Sequence, residues 1–155
     1  AYPGVNKEVY YKEGIFVGYR HFTTNNVKPL FPFGFGLSYT TFAYGKPSGH
    51  ATGNDIVISV DVTNTGKVAG KEIVQIYSSV QQSNVPRPAK ELKGFAKTKL
   101  LQPGESETLH IAIPKEELNY YDESQHGWKL ASGTYTFHVG TNVNDIKGRL
   151  NVKID

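Results

Sequence analysis

The feature that most constrains the fold of this chain is a series of short segments in which apolar and polar residues alternate. In the run 56–63, isoleucine or valine stands at positions 56, 58, 60 and 62, so these side chains share one face of an extended strand. The runs 107–113 and 134–140 show the same period of two, which predicts strands that bury one face. The predicted inward residues are Ile56, Ile58, Val60, Val62, Leu109, Ile111, Ile113, Tyr135, Phe137 and Val139.

Turn signals separate these segments, among them Asn64-Thr65-Gly66 and the Pro103-Gly104 pair. Further strands are predicted at residues 37–44, 72–79, 91–101, 128–130 and 150–154. Loops are predicted at residues 45–55, 81–89 and 119–127, and one helical turn at 114–118. Roughly seven or eight short strands with almost no helical periodicity predict an all-β antiparallel sandwich, Ig-like or fibronectin type III-like.

Tyr135 adds a specific detail to this prediction. It follows the Ser132-Gly133 turn and opens the strand before the last one. A tyrosine at this point is typical of a tyrosine corner, in which the hydroxyl bonds back to the preceding backbone.

The segment 13–42 has a different composition, because it is rich in aromatic residues but also in glycine and proline. Glycine and proline forbid a long helix and interrupt a central strand. Its aromatic residues are Phe16, Tyr19, Phe22, Phe31, Phe33, Phe35, Tyr39 and Phe42. Leaving so much apolar surface in water costs about 25 cal/mol per Å². We therefore expect an extended arm that lies against a larger body, with residues 1–36 forming a linker and interdomain arm and residues 37–155 the sandwich.

Composition argues against several classes of site. The chain has no cysteine, which excludes disulfides, thiol catalysis and zinc sites of the cysteine type. Its five histidines show no i,i+4 pairing, and we expect neither a metal nor a cofactor. Gly34-Phe35-Gly36 lacks the third glycine and the strand–helix context of a nucleotide-binding loop. No apolar run reaches the ~18 residues that a membrane-spanning helix needs, and the N-terminal residues lack the pattern of a signal peptide.

Charge is mild and spread out, at a net +3. The densest basic group is Lys90, Lys93, Lys97 and Lys99, which we interpret as the solvated face of an edge strand protected by lysine. No nucleic-acid-binding motif accompanies it, so we expect no nucleic-acid partner and no membrane partner. The adjacent carboxylates 116–117 and 122–123 are interpreted as solvated loop charges.

Several motifs occur in order along the chain. They are YKEGIFVGYR at 11–20, PLFPFGFGLSYTTF at 29–42, VTNTG at 62–66, AGKEIVQIY at 69–77, ELKGF at 91–95, PGE at 103–105 and GTY at 133–135. Together they resemble the C-terminal region of glycoside hydrolase family 3, the β-glucosidase and β-xylosidase family, including its fibronectin type III-like domain. The resemblance extends over essentially the whole chain.

The resemblance implies a non-catalytic role for this chain. In that family a nucleophilic aspartate lies on an N-terminal (β/α)8 barrel and a glutamate acid/base on the α/β sandwich domain that follows. This chain matches only the tail and lacks the family's Ser-Asp-Trp nucleophile motif, so it carries over no catalytic residue. The implied function is to stabilise the catalytic domains of a β-glucosidase acting on terminal non-reducing β-D-glucosyl residues. A β-xylosidase parent stays open, and a secreted or periplasmic location is expected rather than a cytoplasmic one.

Two sets of residues are candidates for contacts. The predicted interdomain residues are Phe16, Tyr19, Arg20, Phe31, Phe33 and Phe35. Glu13 and Arg20 are expected to form ion pairs or hydrogen bonds with another domain, with direct sugar contact as the alternative. The possible ligand contacts are Tyr120, Tyr121 and Trp128, although a lone tryptophan is expected to lie partly in the core of a sandwich.

Two other functions compete with this interpretation. One is an autonomous carbohydrate- or lignin-binding module, because sugar rings stack on exposed aromatic faces much as apolar ligands use aromatic-lined sites. The other is an adhesion-type Ig domain, which accounts for the sandwich but leaves the aromatic arm unexplained.

Overall fold

The structure is a computed structural model, and it describes residues 4–81, 83 and 85–155. The predicted loop at 81–89 therefore falls partly outside the described residues. The strands are β1 (Phe42–Tyr44), β2 (Ser48–Thr52), β3 (Asp55–Asn64), β4 (Ile73–Val80), β5 (Glu91–Lys97), β6 (Ser106–Pro114), β7 (Tyr120–Asp122), β8 (Gly127–Lys129), β9 (Gly133–Gly140) and β10 (Ile146–Ile154). A short helix, α1 (Tyr19–Thr24), precedes them, and a 3₁₀ turn (Lys115–Leu118) follows β6.

The strands form two antiparallel sheets and one separate hairpin. In the first sheet, β3 pairs with β1 and β2 along one edge and with β6 along the other. The second sheet has the order β10-β9-β4-β5. Strands β7 and β8 pair only with each other within the described chain. This is the predicted all-β antiparallel sandwich, and the helical turn predicted at 114–118 is confirmed as the 3₁₀ turn.

The core lies between the two sheets and includes the inward residues predicted from the alternating pattern. Strand β3 alternates buried and partly exposed positions along its whole length, and β6 and β9 do the same. The core residues include Ile56, Ile58, Val60, Val62, Val74, Ile76, Leu109, Ile111, Ile113, Tyr135, Phe137, Val139, Val152 and Ile154. All ten predicted inward residues are buried.

The tyrosine corner is also confirmed. The Tyr135 hydroxyl donates a hydrogen bond of 2.9 Å to the carbonyl oxygen of Ala131, four residues upstream. Its ring is buried in the core, so this bond fixes the approach of the chain to β9.

Several predicted boundaries were wrong, each where a strand does not bury one face in the core. Residues 45–55 were predicted as a loop, but β2 occupies 48–52 and pairs with β3 although it is mostly exposed. Residues 119–127 were also predicted as a loop, but β7 forms one arm of the hairpin. The strand predicted at 91–101 ends at Lys97, and the strand predicted at 37–44 shortens to β1.

The predicted placement of Trp128 in the core was wrong as well. Trp128 lies on β8 of the separate hairpin and its side chain is 70% exposed. Its ring instead meets that of Tyr121 edge-to-face on the same hairpin. The sandwich instead fills its core with aliphatic residues, Tyr135 and Phe137.

Two outer strands of the second sheet carry irregularities in register. The pairing of β4 with β5 shifts between Ile76 and Tyr77, and the pairing of β10 with β9 shifts between Ile146 and Gly148. Strands β5 and β10 are the two edges of this sheet. Among the helices that the structure describes, none has the length and apolar character to cross a membrane.

Candidate interdomain docking surface

The arm, defined here as residues 13–41, lies on the outer face of the second sheet and contains one short helix. The arm was predicted to be extended and to contain no long helix; it does contain α1, which spans only six residues. The Tyr19 ring stacks on Phe33 at 4.3 Å between ring centroids and meets Tyr77 of β4 edge-on at 6.3 Å. The Tyr19 hydroxyl accepts a hydrogen bond of 2.9 Å from the backbone N–H of Leu92 on β5. One side of the arm is thus bound to this chain's own sandwich.

Gln75 on β4 is the polar centre of that contact. Its side-chain amide donates to the carbonyl oxygens of Gly34 (3.1 Å) and Thr141 (2.6 Å), and its Oε1 accepts from the Tyr77 hydroxyl. Gly34 has φ +82°, and a Cβ there would lie 2.0 Å from Gln75 Oε1. Glycine is therefore required at position 34, for its conformation and for its lack of a side chain.

Two further contacts complete the docking. The backbone N–H of Val143, in the loop between β9 and β10, donates 3.1 Å to the carbonyl oxygen of Phe33. Tyr77 is completely buried beneath the arm, and this burial raises the pKa of its hydroxyl above the usual range. Sequence reasoning missed Gln75; the only available signal was a polar residue inside the apolar run Ile73–Tyr77.

The end of the arm is held by a buried asparagine. The amide nitrogen of Asn64 donates to the carbonyl oxygens of Val68 and Leu101, both at 2.8 Å. Its Oδ1 accepts from the Thr40 hydroxyl at 2.7 Å and from the Gly66 N–H at 3.0 Å. Asn64 is fully buried, and these four bonds satisfy its side chain.

The other side of the arm faces solvent and is unusually apolar. Leu37 is 91% exposed and Tyr39 is 99% exposed, and the Phe31 and Phe35 rings lie 5.3 Å apart at the surface. The exposed large apolar residues of the arm are Ile15, Val17, Phe22, Val27, Leu30, Phe31, Phe33, Phe35, Leu37 and Tyr39. Contiguous exposed apolar surface of this kind marks an interaction site.

A cleft of about 270 Å³ opens within this surface, between α1 and the returning arm. Its walls are mainly apolar, and Asn144 of the β9–β10 loop lies at its edge. The lining residues include Tyr19, Phe22, Phe31, Phe33, Val143 and Asn144. The rings of Tyr19 and Phe33 therefore contribute to both sides of the arm. They stack on each other where the arm packs on the sandwich, and they also line the cleft.

A cluster of charged side chains surrounds Glu91 and includes Arg20, which follows the cleft residue Tyr19 on α1. Glu91 lies 3.4 Å from Arg20 of α1, 3.4 Å from Arg87 and 3.8 Å from Lys93. Arg87 also donates 3.2 Å to the carbonyl oxygen of Leu118. The sequence predicted an interdomain partner for Arg20, whereas within this chain it is paired with Glu91.

The prediction that the lysines near β5 are solvated was wrong for two of them. The side chain of Lys93 is mostly buried and donates to the Glu117 carbonyl oxygen, and burial lowers its pKa. Lys90 donates 2.7 Å to the carbonyl oxygen of Val143, and burial lowers its pKa too. Both side chains reach back over the domain and hold its loops instead of extending into water.

The other predicted residues lie at separate places. Phe16, before α1, is half-buried, and Phe31 and Phe35 belong to the solvent-facing side of the arm. The possible ligand contacts form a different site, because Tyr120, Tyr121 and Trp128 lie on the β7–β8 hairpin. Tyr121 and Trp128 are both exposed and meet edge-to-face with ring centroids 5.6 Å apart.

The hairpin that carries Trp128 is held firmly. Asp122 pairs with Lys129 across the strands at 2.9 Å and accepts bonds from Ser124 and Gln125. The hydrogen bond from Ser124, followed by that from Lys129, lowers the pKa of the Asp122 carboxyl to about 2. Arg87 lies over the Tyr120 ring at 5.7 Å. Asp122 was predicted to be a solvated loop charge, but its carboxylate stabilises the β7–β8 hairpin through these contacts.

Across residues 4–81, 83 and 85–155, no group of three or more histidines and carboxylates is placed to hold a metal ion.

Comparison with known proteins identifies the domain. Residues 72–143 match the model of the fibronectin type III-like domain. This chain carries a fibronectin type III-like domain. The match spans β4 to the β9–β10 loop, so it includes the strands that bear Gln75, Glu91 and Tyr135.

The proteins similar to the whole chain, arm and fibronectin type III-like domain together, are β-glucosidases. A β-glucosidase of Bacteroides ovatus is 45% identical over 96% of the chain, which covers 20% of that protein. Thermostable β-glucosidase B of Acetivibrio thermocellus is 44% identical over 99% of the chain, covering 21% of that protein. The chain thus spans about a fifth of the length of the curated relatives it matches.

Solved structures give the same result. The chain superposes with a TM-score of 0.93 on a GH3 β-glucosidase of Bifidobacterium adolescentis, at 39% identity, covering 99% of this chain and 23% of that one. For β-glucosidase 3B of Thermotoga neapolitana, in complex with α-D-glucose, the TM-score is 0.91 at 37% identity, covering 98% and 22%. The predicted resemblance to family 3 β-glucosidases is confirmed, and it includes the arm as well as the fibronectin type III-like domain.

Proposed function

We propose that this chain is a non-catalytic module of a family 3 glycoside hydrolase and that it stabilises the catalytic domains through its arm. The parent enzyme is a β-glucosidase that hydrolyses terminal non-reducing β-D-glucosyl residues. The observation that carries the proposal is the solvent-facing side of the arm, where Leu37 and Tyr39 are almost fully exposed in this chain.

Three further observations support it. The similar proteins are about five times as long as this chain and are β-glucosidases by name, which favours a glucosidase over a xylosidase parent. Retaining glycoside hydrolysis needs two carboxyl groups about 5–5.5 Å apart, and the resemblance places both on domains outside this chain. The arm is also fixed to the sandwich by Gln75 and Tyr19, so its apolar side is presented on a rigid support.

The experiment compares one substitution in two settings, the 155-residue chain and the full-length enzyme. Leu37→Ala removes a side chain that makes little contact within the chain, so the melting temperature of the chain alone should hardly change. In the full-length enzyme, loss of a buried leucine costs about 2–5 kcal/mol, so the catalytic domains should unfold at a lower temperature. Tyr39→Ala should behave in the same way.

Leu100→Ala is the matched control, because Leu100 is an exposed leucine between β5 and β6 and outside the arm. It should have little effect in either setting. If Leu37→Ala and Tyr39→Ala leave the full-length enzyme as stable as the wild type, the arm does not bind the catalytic domains and the proposal fails.

A second candidate function is carbohydrate binding at the β7–β8 hairpin, and the 70% exposure of Trp128 favours it. The hairpin holds this ring firmly, and an exposed indole face is a surface on which a pyranose ring can stack. If so, the chain should be retained by insoluble β-glucan, and Trp128→Ala should abolish retention. Phe95→Ala is the control, because Phe95 on β5 is exposed to a similar degree. Equal retention of both variants would exclude the hairpin site.

A further inference from the structure

The cleft in the arm and the charged cluster beside it together describe the segment that binds there. Tyr19, Phe22 and Thr23 lie on one face of α1 and line the cleft. Arg20 and Thr24 are four residues apart and lie on the neighbouring face, where Arg20 pairs with Glu91 and the Thr24 hydroxyl accepts from the Ala89 N–H. An apolar cavity and a positive charge are therefore adjacent on a single short helix.

The lining of the cleft indicates what it can hold. Its volume of about 270 Å³ lies near the lower end of the range for small-molecule sites, about 300–1,000 Å³, so the chemistry of its walls carries the argument. Its walls are chiefly aromatic and aliphatic, and Asn144 at its edge is exposed. These properties suit one large apolar side chain of a protein better than a sugar, whose hydroxyl groups need many hydrogen-bonding partners.

The charged cluster is positive and incompletely paired. Arg20, Arg87 and Lys93 share the Glu91 carboxylate at distances of 3.4–3.8 Å. The Glu117 carboxylate is the other negative group that acts on Lys93. Nη1 of Arg87 is buried and has no hydrogen-bond partner among the described residues. Arg87 and Lys93 are 9% exposed, whereas Arg20 is 35% exposed, so Arg20 is the cation of this cluster that a partner can reach.

We propose that a segment of the catalytic part of the same polypeptide binds here, placing an apolar side chain in the cleft and a carboxylate on Arg20. This rests on the proposed function, because it assigns the cleft to the remaining four-fifths of the parent enzyme. The length of the similar proteins beyond this region favours that occupant over a second copy of this chain, and the exposed Arg20 favours a segment that carries a carboxylate. Within this chain Arg20 shares the Glu91 carboxylate with Arg87 and Lys93. The partner's carboxylate gives Arg20 a second counter-ion.

Two variants test the two parts of the proposal, each measured in the 155-residue chain and in the full-length enzyme. Asn144→Trp plugs the cleft from an exposed loop position and should be tolerated by the chain alone. Arg20→Glu sets a new carboxylate against Glu91 in the chain and, in the full-length enzyme, against the proposed partner carboxylate as well. For both, the melting temperature should fall by several degrees more in the full-length enzyme than in the chain. Arg20→Lys should retain most of the wild-type value.

Matched controls use the same chemical changes elsewhere. Asn54→Trp places a tryptophan on the exposed β2–β3 turn, and Lys67→Glu reverses an exposed charge in the β3–β4 connection. Each control should lower the melting temperature of the chain and that of the full-length enzyme by the same amount.

Sedimentation of the wild-type chain should show a monomer, because the proposed occupant of the cleft is not a second copy of the chain.

Two results would overturn the proposal. If Asn144→Trp and Arg20→Glu shift both melting temperatures equally while Leu37→Ala still acts only in the full-length enzyme, the arm is an interface but this cleft is not occupied as described. If the chain alone sediments as a dimer that Asn144→Trp dissociates, the occupant is a second copy. Failure of Leu37→Ala itself, in contrast, would remove the proposed function.

Discussion

At the scale of single residues, His138 of β9 is a partly buried imidazole whose pKa is lowered by its surroundings. Its Nδ1 accepts a hydrogen bond from Arg149 Nε at 3.2 Å, and its Nε2 lies 2.9 Å from the Ser79 hydroxyl. Burial, followed by the charges of Lys90 and Arg149, lowers its pKa to about 4. The folded protein therefore holds this imidazole neutral at a pH where the unfolded chain, with a pKa near 6.5, binds a proton.

The first prediction concerns stability against pH. Since the unfolded state binds more protons, the free energy of unfolding should fall as the pH drops from about 6.5 to about 4. The loss should be on the order of 1–2 kcal/mol, because His138 is only partly shielded from solvent. Urea unfolding at pH 7.5 and pH 4.5 measures it, and His138→Gln should reduce the loss. His126→Gln, at an exposed position, should not, and an equal effect of the two would contradict this account.

The second prediction concerns the tyrosine corner. Tyr135→Phe keeps the buried ring and removes the bond to the Ala131 carbonyl, so the free energy of unfolding should fall by about 0.5–1.5 kcal/mol. Chemical denaturation measures the loss. Tyr121→Phe makes the same change on an exposed ring and should cost little. No difference between the two variants would mean that the corner bond does not contribute to stability.

At the scale of elements, Gln75 supplies one of the contacts that join the arm to the second sheet, beside those of Tyr19 and Phe33. The Gln75 amide bonds Gly34 in the arm and Thr141 at the end of β9, so it joins parts of the chain that are far apart in sequence. Replacement by an apolar residue leaves both carbonyl oxygens and the Tyr77 hydroxyl without this partner.

The third prediction is therefore a local loosening of the arm in Gln75→Leu. Hydrogen exchange should become faster at Val143, whose N–H bonds the arm carbonyl of Phe33, while amides in the centre of β3 stay protected. Gln81→Leu is the control, because Gln81 is exposed and makes only one long side-chain bond, to Thr136 at 3.4 Å. Unchanged exchange at Val143 would show that the arm is held by other contacts.

Elements that bury one face were predictable from sequence, and those that do not were missed. β3, β6 and β9 alternate because they separate core from solvent. β2 is held by backbone pairing to β3, and β7 by pairing in the hairpin, so neither needs an apolar pattern. The aromatic content of the arm predicted an interaction surface, but its own docking depends on Gln75 and Glu91, whose partners lie far away in sequence.

At the scale of the whole molecule, the arm packs on the sandwich, but the core of the sandwich forms without the arm. Among the described residues, the buried core cluster begins at Ile56, and Phe42 is the first residue that packs against it, so the interior of the sandwich does not depend on the arm. The arm instead covers Gln75 and Tyr77 on the outer face of the second sheet. The boundary between residues 36 and 37 stays a prediction, and it would separate the greater part of the arm from the sandwich.

The fourth prediction follows from that division. Removal of residues 1–36 should leave a folded β-sandwich, seen by circular dichroism, with a lower melting temperature because Tyr77 and Gln75 become exposed. Binding of a hydrophobic dye should increase as well. Complete unfolding would mean that the arm is part of the domain, and an unchanged melting temperature would mean that its contacts contribute nothing.

The irregular pairing of β5 and β10 has a consequence for how such chains behave at high concentration. Both edges of the second sheet are bent by a break in register, and a bent, twisted edge is a poor template for a strand from another molecule. Fibril formation by addition of strands from other molecules is therefore disfavoured at both edges of this sheet. This protection of the sheet edges holds even where the apolar arm is exposed beside them.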